Sequence, residues 1–413
     1  MSPSEQLNEV LCTHHKAAFA CLSATGRRMF FPKGIPAQAA EAKTARINAT
    51  IGQLTDGRGH ALPLPAISDH LVGVSLEDAT LYTPQGGNLE LREAWRQRLQ
   101  RAGQGPMSLP FCTVGLTHGL SLLAELFVDE DTDVLLPSPN WGNYNHIFGV
   151  KMGGRLHSYP VFRDGVFDRD AIETALEHVQ KKAVLILNFP GNPTGYTPTP
   201  EELAPWLDAI RRSQKPVVVI CDDAYAGFVY EDGLLSRSPF HDLADAPTDR
   251  VLTVKVDGAT KELCFFGGRV GFVTFAASGQ AADALDTKLK GIARASVSTA
   301  PAVSQALVLS ALGSPDLARQ QQERLDESAA RFRQLKAAIA RHRLEVMPFN
   351  SGFFALLTVK GDPERLRQRL LDRGIGVIAM AQHSAIRVAF SSTAMEDIDP
   401  LIDTIADELR GAP

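Results

Sequence analysis

The sequence lacks the patterns that mark several large classes of protein. It has no apolar run approaching the roughly 18 residues of a membrane-spanning helix, and its N-terminus, MSPSEQLNEV, has no basic segment followed by an apolar one. We therefore expect a cytoplasmic protein that does not contact a membrane. The motifs G-x-G-x-x-G and G-x-S-x-G are also missing, which disfavours a dinucleotide-binding dehydrogenase and a serine hydrolase.

Cysteine and positive charge are scarce as well. The five cysteines form no C-x-x-C pair, and we expect them to be reduced and mostly buried: Cys12, Cys21, Cys112, Cys221 and Cys264. The stretch 12–21 also holds two adjacent histidines, but its spacing matches no zinc pattern, so we expect no metal. The 47 acidic residues outnumber the 42 basic ones and no basic block occurs, so nucleic acid is not an expected partner.

Length and pattern predict an α/β fold with two domains. The 413 residues exceed the roughly 250–300 at which a single core stops growing. Through the middle of the chain, short runs rich in Val and Ile alternate with helical stretches such as 89–101 and 201–212, as in open α/β sheets. Runs of this kind are buried on both faces and belong in the centre of a sheet. The clearest predicted strands are 133–136, 183–187, 216–221, 251–254 and 270–275.

The C-terminal portion differs in character from the middle of the chain. It contains a long charged helix at 316–343 and a strand at 353–359. Its last helix is predicted from one apolar side, formed by Ile398, Leu401, Ile402 and Ile405. We therefore predict a large domain over residues 61–314 and a smaller α+β domain over 315–413. Residues 1–60 are expected to form an N-terminal arm and part of the small domain.

Polar residues follow two of the predicted strands. The segment LNFPGNPTG turns sharply from Asn192 to Gly195, and taken alone it could be an ordinary turn, because proline fixes the backbone and glycine permits positive φ. The segment VVVICDDAYAGF places Asp222 at the carboxyl end of a buried strand, where open α/β sheets bind ligands. A carboxylate buried there requires a positive partner, so we expect a cation to face it.

A lysine follows a third strand. The segment GATKELCFFGGRVGF places Lys261 in a glycine-rich loop, with Arg269 eight residues later. A single lysine in a loop is usually solvated. Here small residues precede it and the apolar patch 263–266 follows it, an environment that lowers the pKa of an amine and prepares it as a nucleophile.

These three segments resemble, in letters and in spacing, the fold-type I aminotransferases of the aspartate aminotransferase superfamily. The resemblance rests on Asn192-Pro-Thr-Gly, Asp222-Asp-Ala-Tyr225 and Lys261 with Arg269, and it covers roughly residues 45–392. It implies a large domain with a mostly parallel seven-stranded sheet flanked by helices, and a smaller α+β domain. It also implies pyridoxal 5'-phosphate as cofactor, a homodimer, and ping-pong transfer of an amino group between an L-amino acid and a 2-oxo acid.

The resemblance assigns roles around the cofactor ring. It implies that Lys261 binds the cofactor aldehyde and moves a proton at the substrate Cα, and that Asp222 pairs with the pyridinium nitrogen. Asn192 and Tyr225 would hydrogen-bond the ring oxygen. Trp141, in PSPNWGNY, would stack on the ring and line the substrate site, although by itself it is equally typical of a core aromatic.

The phosphate and the substrate require further residues. By resemblance, the Leu116 backbone, Thr117 and Arg269 bind the phosphate, and Tyr82 reaches in from the second subunit. The turn TVGLTHG leads into a helix, whose N-terminus attracts phosphate, but its two glycines could equally be ordinary loop residues. Arg387, in AIRVAF, corresponds to the arginine that binds the substrate α-carboxylate, beside Asn192.

Two positions depart from the family pattern. Gly258 stands where the family usually has a serine or threonine that binds the phosphate, and Leu54 stands near an active-site tyrosine of the aspartate-specific branch. Arg294 matches that branch's clamp for a side-chain carboxylate, contributed across the dimer interface. A dicarboxylic substrate pair is thus one hypothesis, and aromatic, branched or specialised amino acids are the alternative.

The motifs leave the reaction itself open. The same residues serve lyases, decarboxylases and synthases, because the bond that breaks depends on a geometry that the sequence does not show. A non-catalytic effector-binding protein is disfavoured, since Lys261 is retained and few basic residues precede the matched region.

Overall fold

The computed structural model describes residues 1–32 and 34–411 of the chain. Its strands are β1 (Ile47–Asn48), β2 (Phe111–Val114), β3 (Thr132–Ser138), β4 (Arg155–Pro160), β5 (Phe162–Arg163), β6 (Val166–Phe167), β7 (Lys182–Leu187), β8 (Val217–Asp222), β9 (Val251–Asp257), β10 (Val270–Phe275), β11 (Phe354–Thr358), β12 (Ile375–Gly376), β13 (Ile378–Met380) and β14 (Ala385–Ala389). All the strands predicted from the sequence are present, with ends shifted by a few residues.

The helices cover both faces of the main sheet and one face of a smaller one. They are α1 (Pro3–His14), α2 (Lys16–Cys21), α3 (Ala24–Arg28), α4 (Ile35–Glu41), α5 (Pro65–Ser68), α6 (Leu76–Thr80), α7 (Leu89–Gln100), α8 (Gly115–Phe127), α9 (Ala171–Glu177), α10 (Pro200–Arg211), α11 (Pro239–Ala244), α12 (Ala259–Glu262), α13 (Gly279–Ser296), α14 (Ala302–Gly313), α15 (Leu317–His342), α16 (Pro363–Asp372) and α17 (Ile398–Arg410). The predicted helices correspond to α7, α8, α10, α15 and α17.

The main sheet has seven strands in the order β2-β10-β9-β8-β7-β3-β4. Strands β4, β3, β7, β8 and β9 run parallel to one another, while β10 is antiparallel to both of its neighbours, β9 and β2. The predicted α/β class with a mostly parallel seven-stranded sheet is therefore confirmed.

Alternate residues of the central strands enter two separate cores. Along β7, Val184 and Ile186 face one apolar cluster, whereas Ala183, Leu185 and Leu187 face the other. This period of two, with both faces apolar, is why the strands appear in the sequence as continuous hydrophobic runs.

A third core belongs to the C-terminal part of the chain. Helices α15, α16 and α17 pack their apolar sides against the sheet β11-β14-β13, and the predicted residues Ile398, Leu401, Ile402 and Ile405 are all buried there. Strand β1 joins this part by pairing in parallel with β12. Because the cores are separate, we propose a domain division at residues 61–314 and 315–413, with part of 1–60 joining the small domain.

The N-terminal segment contacts the connection between β3 and β4 of the main sheet. Arg28 Nε donates a hydrogen bond to the Val150 carbonyl at 3.0 Å.

Cys12 and Cys21, in α1 and α2, are exposed, whereas the other three cysteines are buried. The described residues contain no group of three or more side chains arranged to hold a metal, and none of their helices is long and apolar enough to cross a membrane.

Candidate active site

A cavity of about 370 Å³ lies at the carboxyl edge of the main sheet, next to the smaller sheet β11-β14-β13. Its walls contain nine of the residues predicted from the sequence, namely Leu116, Thr117, Trp141, Asn192, Asp222, Tyr225, Lys261, Arg269 and Arg387. Tyr82 and Arg294 do not line it. The parallel strands β3, β7, β8 and β9 bring most of these segments together, since their carboxyl ends meet at one edge.

Lys261 lies in the short helix α12, which follows β9. Its Nζ is 5.2 Å from the centre of the Tyr225 ring. Burial lowers the pKa of Lys261 to about 8, and the charge of Arg269 adds to this effect, while Asp222 opposes it. The amine is therefore neutral in a larger fraction of molecules than an exposed lysine, as predicted from its apolar neighbours, and a neutral amine is the nucleophilic form.

Asp222 is the last residue of β8 and is only 3% exposed. Its Oδ2 accepts a hydrogen bond from Tyr144 Oη at 2.5 Å, and its Oδ1 accepts one from the Ala224 N–H at 3.2 Å. Burial raises the pKa of Asp222, while the Tyr144 hydrogen bond and the charge of Lys261 oppose that rise. The carboxylate therefore has a hydroxyl and a backbone N–H as direct partners, and the positive charge of Lys261 acts on it within the same cavity.

The Asn192 turn is joined to the rest of the site by hydrogen bonds. Asn188 accepts one from the Asn192 N–H and donates one to the Asp222 carbonyl, both at 2.8 Å. The side-chain amide of Asn192 donates a hydrogen bond to Tyr225 Oη at 3.4 Å, and its oxygen accepts one from Arg387 Nη1 at 3.3 Å. The turn thus does more than reverse the chain, because it joins two other segments, 222–225 and the strand of Arg387, in one network.

Arg387, on β14, is buried in the same cavity. Its Nη2 donates to the Thr50 carbonyl at 2.7 Å, and its guanidinium carbon is 4.3 Å from the centre of the Phe354 ring. Burial lowers the pKa of Arg387. Its Nε has no hydrogen-bond partner among the described residues. A buried N–H without a partner is costly, and a carboxylate entering the cavity would remove that cost.

The first turn of α8 and Arg269 form a cradle for an anion. Gly115 begins α8 with φ at +74°, and a side chain there would overlap the Arg269 guanidinium. The free N–H groups of this helix end and the adjacent cation favour a phosphate. The glycine of this turn is therefore required by close packing.

The structure gives physical reasons for both departures from the family pattern. A Cβ on Gly258 would lie 2.5 Å from the Val270 carbonyl oxygen, so no serine fits there without a backbone shift. Leu54 is 1% exposed and packs with Tyr225 and Phe353 in an apolar cluster. It is a core residue here and does not line the cavity.

Several residues of the cavity could not be identified from the sequence. Tyr144 and Asn188 lie near quoted motifs but have no distinctive local pattern. Ile35, Ala39, Ile51 and Phe354 are apolar and come from distant parts of the chain. The one signal that could have identified Tyr144 and Asn188 is their position after a parallel strand, Tyr144 after β3 and Asn188 after β7.

A second, larger cavity of about 590 Å³ lies on the other side of β8 and β9. Its buried charges are already paired: Lys255 contacts Asp223 and lies 3.4 Å from Asp257, and Arg98 contacts Glu262. It contains neither Lys261 nor Arg387. The smaller cavity is therefore the candidate active site.

The residues of the smaller cavity fit pyridoxal phosphate. They offer an amine of lowered pKa for the aldehyde, a buried carboxylate for the ring nitrogen and an anion cradle for the phosphate. Fold and site together define a pyridoxal phosphate-dependent protein of fold type I. A family model described as aminotransferase class I and II matches residues 44–405, and the chain belongs to this family.

Individual relatives are distant. The aspartate aminotransferase of Bacillus subtilis is 26% identical over 251 residues, 58% of this chain and 59% of the relative. The aromatic-amino-acid aminotransferase 2 of Thermococcus litoralis is 27% identical over 197 residues, 47% of this chain and 49% of the relative. The chain thus spans about half to three-fifths of the length of these relatives.

Solved structures extend the likeness in fold over nearly the whole chain. An aminotransferase from Anaerococcus prevotii has a TM-score of 0.83 at 21% identity, covering 92% of this chain and 98% of that one. The aspartate aminotransferase of Thermus thermophilus with maleate has a TM-score of 0.78 at 22% identity, covering 94% and 99%. At such identities the likeness shows the fold alone.

Proposed function

We propose that the protein is an aminotransferase that moves an amino group between an L-amino acid and a 2-oxo acid by a ping-pong mechanism. One observation carries this proposal: an amine of lowered pKa, a buried carboxylate and a partly unpaired buried guanidinium face the same cavity, on Lys261, Asp222 and Arg387. The family and the names of the relatives support it.

Each side chain has a task that follows from its position. When bound, pyridoxal phosphate supplies an electron sink for the substrate Cα. The Lys261 Nζ would take the proton from Cα and deliver it to the carbon of the cofactor aldehyde, because a neutral amine is available near neutral pH. Arg387 binds the α-carboxylate in a forked contact and fixes the substrate's orientation. Trp141 provides a flat apolar face, and Asn192 borders both ring and substrate.

The remaining residues hold the cofactor in place. Asp222 would keep the ring nitrogen protonated, and Asn192 and Tyr225 would stabilise the ring oxygen as an anion. Leu116 and Thr117, in the first turn of α8, would bind the phosphate together with Arg269. Because Asp222 is held by Tyr144, the carboxylate is oriented before the cofactor arrives.

We also propose a homodimer in which Tyr82 and Arg294 reach the second copy's cavity. Tyr82 is 93% exposed, and neighbouring apolar side chains at Leu71, Val72, Leu76 and Leu81 are exposed as well. An apolar surface of this kind is typical of a subunit interface.

We also propose that the protein is cytoplasmic, because its five cysteines are unpaired and three of them are buried.

The visible spectrum of the purified holoenzyme tests the proposed reaction. We expect a band from the lysine-bound cofactor that bleaches with an amino acid donor and returns with a 2-oxo acid. The Lys261→Ala variant should lack this band and lose at least roughly 10⁴-fold in turnover, since one group serves as both anchor and base.

The rate law separates transamination from the other reactions of this fold. A two-substrate ping-pong law supports the proposal. A single-substrate law with release of a cleaved product would instead indicate a lyase or decarboxylase. A protein that gains no band when pyridoxal phosphate is added would show that the cofactor assignment is wrong.

A further inference from the structure

We infer that the preferred amino donor has an apolar side chain, and that Ile35, Ala39 and Ile51 contact it. The inference rests on the proposed function and specifies its substrate class. Apart from Thr50, the lining residues that have no task toward the cofactor or the α-carboxylate are apolar or glycine, and they come from segments far apart in sequence.

One apolar wall comes from helix α4. Ile35 and Ala39 are four residues apart, so they lie on the same side of the helix, and both line the cavity. The helix is fixed to the small domain through Gln38, which accepts a hydrogen bond from the Ala379 N–H at 2.7 Å and donates to its carbonyl at 3.3 Å. Glu41 adds an ion pair with Arg367 at 2.7 Å. The apolar side of α4 is therefore held over the cavity.

A second apolar wall is formed by residues 51–52 and Phe354. A Cβ on Gly52 would lie 2.5 Å from the Phe354 ring, so the glycine permits the ring to pack directly on the backbone. The Arg387 guanidinium carbon lies over the same ring, 4.3 Å from its centre. Phe354 thus packs against both Gly52 and Arg387, next to the group that binds the α-carboxylate. A substrate held by Arg387 must place its side chain near these apolar groups.

The charges of the cavity do not provide for a second carboxylate. Among the described lining residues the cations are Arg387, Lys261 and Arg269, which serve the α-carboxylate, the cofactor aldehyde and the phosphate. The hydroxyl of Thr50 is occupied by a hydrogen bond to Asn48 at 2.6 Å. A side-chain carboxylate against this wall would be buried without a partner, which is costly. Within the described residues of one copy, no lining cation is left to neutralise it, and the Arg294 that we propose to reach in from a second copy is the cation that the test below removes.

The test compares amino donors on the wild-type holoenzyme. Single-turnover bleaching of the cofactor band gives the rate and the apparent affinity for leucine, methionine, phenylalanine, aspartate and glutamate. We expect the best apolar donor to exceed both dicarboxylates by at least roughly 10-fold in kcat/KM, the range that pocket complementarity provides.

A variant pair sharpens the test. Ile35→Arg introduces a cation on the apolar wall and should raise kcat/KM for glutamate roughly 10-fold while lowering it for leucine by a similar factor. Ala40→Arg is the matched control, since Ala40 is an exposed residue of the same helix that does not line the cavity. It should leave both donors unchanged.

The outcomes separate this inference from the proposed function. Aspartate or glutamate as the best donor, with Arg294→Ala removing that preference, would overturn the inference and leave the aminotransferase intact. Equal effects of Ile35→Arg and Ala40→Arg on both donors would also overturn it. No bleaching with any amino acid would overturn the proposed function together with the inference.

Discussion

Two adjacent carboxylates at the end of β8 have opposite surroundings. Asp222 faces the candidate active site, where it accepts a hydrogen bond from the Tyr144 hydroxyl. Asp223 faces the second cavity and contacts the buried amine of Lys255, which also lies 3.4 Å from Asp257. Both carboxylates are nearly inaccessible to solvent. The sequence shows two consecutive aspartates that look equivalent. In the structure Asp222 is available to a ligand, whereas Asp223 is already paired with Lys255.

The difference lies in how each negative charge is compensated. Burial acts to lower the pKa of Lys255, but the attraction of Asp223 and Asp257 outweighs it and raises that pKa. Burial raises the pKa of Asp223 to about 6 although Lys255 opposes the rise, so the pair is ionised at neutral pH. Asp222 has no ion pair within the described residues and depends on a hydroxyl and on the more distant Lys261. A charge that is left incompletely compensated in the folded protein is prepared to accept a cationic ligand.

Removing Lys255 should produce the largest effect, and the effect should be on stability. Lys255→Met leaves Asp223 buried without its partner, and breaking a buried pair in this way costs about 3–5 kcal/mol. We expect the free energy of unfolding, measured by chemical denaturation, to fall by that amount. Lys182→Met is the control, since the Lys182–Asp129 pair is exposed and should contribute less than about 1 kcal/mol. Equal losses in the two variants would contradict this view of the Asp223 pair.

The two carboxylates should then differ in catalysis. Asp222→Asn removes the charge that faces the cofactor ring, and we expect kcat/KM to fall roughly 10²–10³-fold, as for other lost electrostatic contacts in active sites. Asp223→Asn should lower the free energy of unfolding but change kcat/KM by less than about 10-fold, because its side chain faces the other cavity. If both substitutions impair turnover to the same degree, the functional distinction between the two residues is wrong.

The smallest effect is expected at Tyr144. Tyr144→Phe removes the hydrogen bond to Asp222, and hydrogen bonds to charged groups contribute about 1.5–3 kcal/mol. We expect the Kd for pyridoxal phosphate, measured by titrating the apoprotein, to rise roughly 10- to 100-fold. Tyr159→Phe is the matched control, because this buried hydroxyl donates to the Ile186 carbonyl and does not line the cavity. Unchanged affinity in Tyr144→Phe would show that Asp222 needs no orientation by its neighbour.

The sequence alone was sufficient for five of the seven strands of the main sheet, although β2 and β4 were not predicted, and for most of the residues that line the candidate site. Strands buried on both faces leave continuous apolar runs, so 183–187 and 270–275 were identifiable from local composition. Asn192, Asp222 and Lys261 stand directly after such strands, and parallel strands bring their carboxyl ends together. The lowered pKa of Lys261 was likewise predictable, because its apolar neighbours are adjacent in sequence.

The tertiary structure alone decided the partners of these residues and the shape of the cavity. Tyr144 contacts Asp222 across 78 positions, and Arg387 contacts the Thr50 carbonyl across 337. Ile35 and Phe354 reach one cavity only because tertiary packing brings α4 and β11 together at the edge of the main sheet. Local patterns record which face of an element is buried, whereas contacts between distant segments depend on how the elements pack, and no local pattern encodes that.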